Sequence, residues 1–367
     1  MLNILKHFYF EKKLSSYYSY TNMKFTLFKI VLILFLSFAF PFNLYATFSH
    51  YVGSHTSIRH LNDGIEKTLF KYRHFNKDIV RHATGCSFVM CRLSNISSFL
   101  HSASSHNTFY SCTLEKVTIA NSFQKHLSFH DTLFIKSTIS SSQFTNSSFK
   151  SCLFSKTKIK NTVFYKSSFT YCSFNASSFQ SVLFLACTLD DFTLNELKGT
   201  SAIMGFDGLV KAAKKKQLLS HIPLQGISFH SLNLSGIRIQ ASSIKDCIFF
   251  KTNFKLSSIS LSTFFDTRFN KASFYKATLT NGSFSYSTLT DVDFSSSVLK
   301  NMTFKEVIFK NVRFNDSVWG HLTFDNCTFI DCSFDGLKSS NVKLIKSPDL
   351  ESVLKLKVKT KQQKANT

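Results

Sequence analysis

Glycine and proline are scarce in this chain, at 11 and 3 of 367 residues. Tight two-residue hairpins depend on glycine-containing turns. A sandwich stitched from short hairpins is therefore disfavoured. Acidic residues are also few, 21 against 44 basic, which leaves a formal net charge of +23. That balance favours anionic partners such as nucleic acid, anionic lipid or polysaccharide, with solubility alone as the competing explanation. The most apolar stretch, Ile30–Phe40, falls short of the roughly 20 residues of a membrane helix. Glycine-rich phosphate loops are missing, so the common nucleotide-binding signatures are absent too.

What the chain has is phenylalanine, 43 of it. From Phe144 every fifth residue is large and apolar: Phe149, Phe154, Ile159, Phe164 and onward to Leu194. The residues two before them are mostly small: Ser142, Ser147, Cys152, Thr157, Thr162. A helix face recurs at 3.6 residues and a strand face at 2, so neither produces this period. A chain that turns a corner every five residues does, with the large and the small residue both pointing inward. The same phase begins at Phe99, with Ser104 and Gln124 as exceptions. It resumes at Leu224 and runs to Phe334, Trp319 included.

This pattern resembles the pentapeptide-repeat family. The resemblance implies an all-β fold, a right-handed quadrilateral parallel β-helix with four five-residue sides per coil. Leu or Phe sits at the family's central position and Ala, Ser, Cys, Thr or Val two before it, as here. The family's Asn or Asp just before the centre appears at Asn233, Asn253 and Asp293, but Ser, Thr or Lys is more frequent. Relatives that protect gyrase from quinolones resemble duplex DNA through an acidic surface. The basic balance disfavours a DNA-mimic gyrase inhibitor.

Residues 1–46 form a signal peptide region, with Met23 as an alternative start: MKFTLFK is basic, Ile30–Phe40 apolar, and Ala46 suits the cut. A membrane anchor through residues 24–46 is the alternative. Residues 47–98 are expected to cap the N-terminal end, with a short helix over 63–75 where Ile65, Leu69 and Tyr72 have helical spacing. Block 1 spans 99–194. The insert 195–223 reads as a helix or, preferably, a solvated loop. Block 2 spans 224–337, stacked coaxially or nearly so on block 1. A basic tail, 338–367, follows, in which Ser347 and Pro348 start a short helix.

No residues suggest catalysis, a cofactor or a metal site. Cys327 and Cys332 are spaced by the repeat itself, and the nine cysteines act as small apolar residues. The candidate anion-binding residues are Lys116, Lys136 and Lys156, which a twenty-residue coil stacks in one column, with Lys166 nearby. Lys214, Lys215 and Lys216 in the insert add to them. The expected function is a secreted, non-catalytic scaffold or binding protein, an exported effector among the forms it could take. Its basic surface would meet membrane lipid, lipopolysaccharide or nucleic acid. The alternative is a structural envelope or surface component with no specific ligand. Export to the periplasm, cell surface or medium predicts cleavage after Ala46 and a mature N-terminus at Thr47. N-terminal sequencing of the protein from its native source checks this; an intact 1–46 segment in a membrane fraction contradicts it.

Overall fold

The computed structural model describes residues 65–76, 83–100 and 102–350. The signal or anchor segment and the end of the basic tail lie outside these residues. Short strands recur every five residues. From Ser102 on, within each block, they pair in parallel with the strand twenty residues further on: Phe129 with Phe149, Phe134 with Phe154, Ile139 with Ile159, Phe144 with Phe164. Four sides therefore make one coil, and the fold is a four-sided parallel β-solenoid. The sides are named below by their central residues Phe144, Phe149, Phe154 and Ile159.

Each corner is made by the residue two after a centre, which takes a left-handed backbone. Lys116 has φ 53°, Lys136 51° and Ser151 53°. For a residue with a side chain this costs about 1–2 kcal/mol. Two gains offset it. The corner N–H donates to the next coil, as Lys136 N does to Ser155 O at 2.9 Å. Each unit also buries a large side chain, worth about 1.5–3 kcal/mol for a Phe. The rings stack coil on coil, for example Phe109, Phe129, Phe149 and Phe169 at centroid spacings of 4.6, 5.0 and 4.5 Å. Neighbouring columns meet edge to face, as Phe164 does with Phe169 at 90°. Such pairs add about 0.5–1.5 kcal/mol each.

The small residues have their own reason. Their N–H points into the coil, where water cannot reach it. A hydroxyl from the next coil accepts it: Val117 N donates to Ser137 Oγ at 3.1 Å, and Ser147 N to Ser167 Oγ at 3.1 Å. The hydroxyl then donates to a buried carbonyl, as Ser137 does to Leu114 O at 2.9 Å. Cys172 aims Sγ at Phe149 O in the same way, at 3.2 Å. Ser, Thr and Cys are thus interchangeable there. The two exceptions in block 1 pair with each other across adjacent coils. Ser104 and Gln124 are buried in place of a large apolar residue, and Gln124 Nε2 donates to Leu100 O at 2.7 Å.

The solenoid extends beyond both expected blocks. Residues 65–76 form strands, not a helix: Phe70 pairs with Phe88 and Phe75 with Leu93. Leu69 and Tyr72, which the helical spacing had placed on a packed face, are exposed. Phe88 then pairs with Phe109 across twenty-one residues, which accounts for the phase change near Phe99. The described residues of this stretch are coils of the solenoid, stepping by eighteen and twenty-one residues, and not a separate cap. At the other end Lys338–Ile345, expected in the tail, pairs with Val318–Asp325 and adds another coil. The chain turns helical at 348–350, as expected, and Leu350 is fully buried.

The insert is helical, and the preferred solvated loop is corrected. Helix α1, Asp191–Leu197, starts inside the expected block 1 because the Asp190 side chain caps it by accepting from Thr193 N. Leu194, in phase for a centre, is on this helix and 37% exposed. Helix α2, Gly205–Lys214, buries Leu209, Ala212 and Ala213. Block 2 then begins at Leu218–Ser220, paired with Arg238–Gln240.

The blocks are not coaxial. No sheet is common to both. Val163, Tyr165, Leu183 and Leu185 occupy outward positions on the Phe144 side of block 1. They are buried in one cluster with Leu219, Leu224 and Leu209. Gln143, on the same side, clasps the Gln225 peptide: Nε2 donates to its carbonyl at 2.7 Å and Oε1 accepts its N–H at 2.8 Å. The first coil of block 2 therefore starts against the flank of block 1. Leu219, Leu224, Leu234, Ile239 and Ile244 stand here where other coils have Phe. They border an apolar cavity of about 30 Å³.

One interior position admits no side chain at all. A Cβ on Gly282 would collide with Ser262 O, while Met302 fills the space on the other side. Gly282→Ala should therefore destabilise block 2 by about 1–3 kcal/mol, seen as a lower thermal midpoint. An unchanged midpoint would contradict this packing.

Candidate anion-binding flank

Lys116, Lys136 and Lys156 stand in one column at the corner between the Phe154 and Ile159 sides. The strands before them pair in register, Leu114 with Phe134 and Phe134 with Phe154. The strands after them do likewise, Ile119 with Ile139 and Ile139 with Ile159. All three side chains are exposed, and their corner N–H groups donate to Ile135, Ser155 and Asn175 carbonyls at 2.8–2.9 Å. Parallel strands lie about 4.8 Å apart, so like charges are held close at the backbone.

The acid next to the column is already engaged. Glu115 pairs with Arg92 at 2.7 Å, and Asp131 lies 2.8 Å from His130 Nδ1. None of the three ion pairs found among the described residues involves the column. Lys158 and Lys160, exposed on either side of Ile159, extend it around the corner. Sequence reasoning missed these two. The residues flanking a centre point outward, and that rule would have found them.

The other candidates are elsewhere. Lys166 is at the diagonally opposite corner, in the column of His106 and His126, whose rings stack at 4.7 Å. Its Nζ lies 5.2 Å from the Tyr165 ring centroid. Lys214 ends α2, with Lys215 and Lys216 just after it, all exposed. Helix α2 packs by the Phe144 side, against Leu183–Leu185 and Ile203. The seven lysines therefore do not form one site.

The family model for pentapeptide repeats matches residues 272–311, in eight copies. Residues 272–311 thus carry pentapeptide repeats, and the four-sided coil continues the same five-residue period on either side of them. Members of this family are generally structural or binding proteins. Among solved structures the chain is similar to a trypsin-treated form of QnrB1, a plasmid-mediated fluoroquinolone resistance protein. The identity is 13% over 76% of this chain and 92% of that one, with a TM-score of 0.25. It is also similar to HetL, a pentapeptide-repeat protein involved in heterocyst differentiation regulation in the cyanobacterium Nostoc, at 9% identity over 76% and 86%, TM-score 0.16. A third similarity is to PfbA, a surface adhesin of Streptococcus pneumoniae, at 8% identity over 76% and 83%, TM-score 0.18. No curated protein sequence matches the chain. Likenesses this distant carry no function across.

All nine cysteines are free thiols, seven of them buried. Burial pushes Cys187 and Cys247 up to about 12 and Cys327 up to about 11. It also raises Cys152, stacked under Cys172. Thiols so raised carry little thiolate near neutral pH and react slowly. Among the described residues no three His, Cys, Asp or Glu side chains converge as metal ligands would. Alkylation of the folded protein without reductant should label the seven buried cysteines only after unfolding. Mass spectrometry checks this; a Cys152–Cys172 crosslink, or fast labelling of the folded protein, would contradict it.

Proposed function

We propose that this chain is an exported, non-catalytic scaffold that holds a basic flank against an anionic partner. One observation supports the reading above the rest: Lys116, Lys136 and Lys156 share a corner, and Glu115 beside them pairs with Arg92. A stacked like-charge column costs energy in the free protein. An anion bound along it relieves that cost, and the rigid coil keeps the charges in register. The lysines after α2 and in the tail add unspecific attraction. DNA mimicry would need an acidic exterior, whereas the net charge is +23.

The partner class follows from location, and export is inferred from the layout of residues 23–46. Among the described residues no helix is long and apolar enough to cross a membrane. Changing Lys116, Lys136 and Lys156 together to Gln should weaken retention by anionic vesicles and by DNA. On DNA the salt slope should fall by roughly one for each lysine engaged. Folding should be unchanged, since all three side chains are in water. Equal binding before and after the change would remove this flank from consideration.

A further inference from the structure

Block 2 ends on an open coil. The strand Lys338–Ile345 pairs with Val318–Asp325 on one side and, among the described residues, with no strand on the other. An edge of eight residues with unpaired amides and carbonyls invites another strand. The core is open at this end too. Leu322 and Phe324 are 1% and 0% exposed, but their partners one coil on, Val342 and Leu344, are only partly buried. Ser339, the partner of buried Trp319, is exposed. The chain then packs onto this end. Leu350 is fully buried, and the Asp349 carboxylate accepts from Phe329 N at 3.4 Å.

Residues 351–367 follow, outside the described ones, and their sequence continues the pattern before changing it. Leu354 falls twenty residues after Phe334, with Ser352 two before it, so the phase of the coil runs on to Leu354. From there the period becomes two. Leu354, Leu356 and Val358 alternate with Lys355, Lys357 and Lys359, and Lys361 follows Thr360. Strict alternation of apolar and polar residues marks a strand with one covered face. Another coil of the same kind is excluded, because its next centre, Lys359, would put an unpaired charge in a dry interior. The alternation suits a last edge strand, apolar towards the core and charged towards water.

We propose that residues 353–361 pair along the outer edge of Lys338–Ile345, with Leu354, Leu356 and Val358 over the open end of the core. At about 3.3 Å per residue the segment is about 30 Å long and the edge about 26 Å. The segment is favoured over a second copy of the chain because it is tethered at Leu350, already seated on this end, which raises its local concentration. Its apolar row supplies the cover that Val342 and Leu344 lack. Its lysines face out, and lysine on an edge strand deters pairing with further chains. Closed in this way, the end of block 2 is no template for edge-to-edge association. The inference stands apart from the basic-flank reading, since it uses no residue of the Lys116 corner.

Hydrogen exchange of the full chain, read by mass spectrometry, tests this. Peptides over 353–361 and 338–345 should exchange slowly, at rates independent of protein concentration. Leu356→Asp should abolish the protection of 353–361 and speed exchange in 338–345. Val318–Asp325, one coil further in, should stay slow and report that block 2 is folded. Lys357→Gln, on the outward face, should change neither segment. Exchange of 353–361 at the rate of an unstructured peptide overturns the proposal. Protection that grows with protein concentration overturns it in favour of a second copy. Loss of protection at 353–361 in Leu356→Asp with 338–345 unchanged also overturns it, because the tail then docks elsewhere.

Discussion

Every coil must close on the one before it so that each strand finds its partner one coil back, twenty residues in all but the first coils. The rest of the structure depends on that closure. Four corners per coil in the left-handed region strain the backbone repeatedly, even at residues as unsuited as Leu256, Leu261 and Tyr286. The strain persists because corner N–H groups, side strands and interior hydroxyls all bond to the neighbouring coil. An isolated coil would have the strain without the partners. This is why solenoid stability grows with stacking, and why interior errors should spread to neighbours.

Closure also explains the composition. A five-residue side leaves room for one large inward residue and one small one. Phe fills the large place because its ring stacks on the ring above at about 4.5–5 Å. Where Leu and Ile replace it, at the start of block 2, the cavity bordered by Leu219, Leu224 and Ile244 appears. Size is also traded between coils, as Gly282 makes room for Met302.

The period of five was legible from Phe144 onward because every centre there keeps one phase. The coils over residues 65–98 were not, because the Phe70–Phe88 and Phe88–Phe109 steps are eighteen and twenty-one residues and shift the phase. Helix α1 was hidden by Leu194, which is apolar and in phase by coincidence; the capping Asp190 was the available signal. The sideways junction was missed for a different reason. Val163, Tyr165, Leu183 and Leu185 flank their centres and should face water, so four apolar residues there mark a covered side. The lysine column was readable because it needs only the coil length. The acids' partners were not, since Arg92 reaches Glu115 across the shifted phase.

The account stands or falls on twenty residues per coil, and a distance measurement tests that most directly. Nitroxide labels attached through Lys116→Cys and Lys136→Cys should sit on adjacent coils at one corner, backbones about 5 Å apart. Labels at Lys116→Cys and His126→Cys should sit at opposite corners. The predicted result is strong dipolar broadening for the first pair and much weaker broadening for the second. Equal broadening in the two pairs, or stronger broadening in the second, would contradict the four-sided coil.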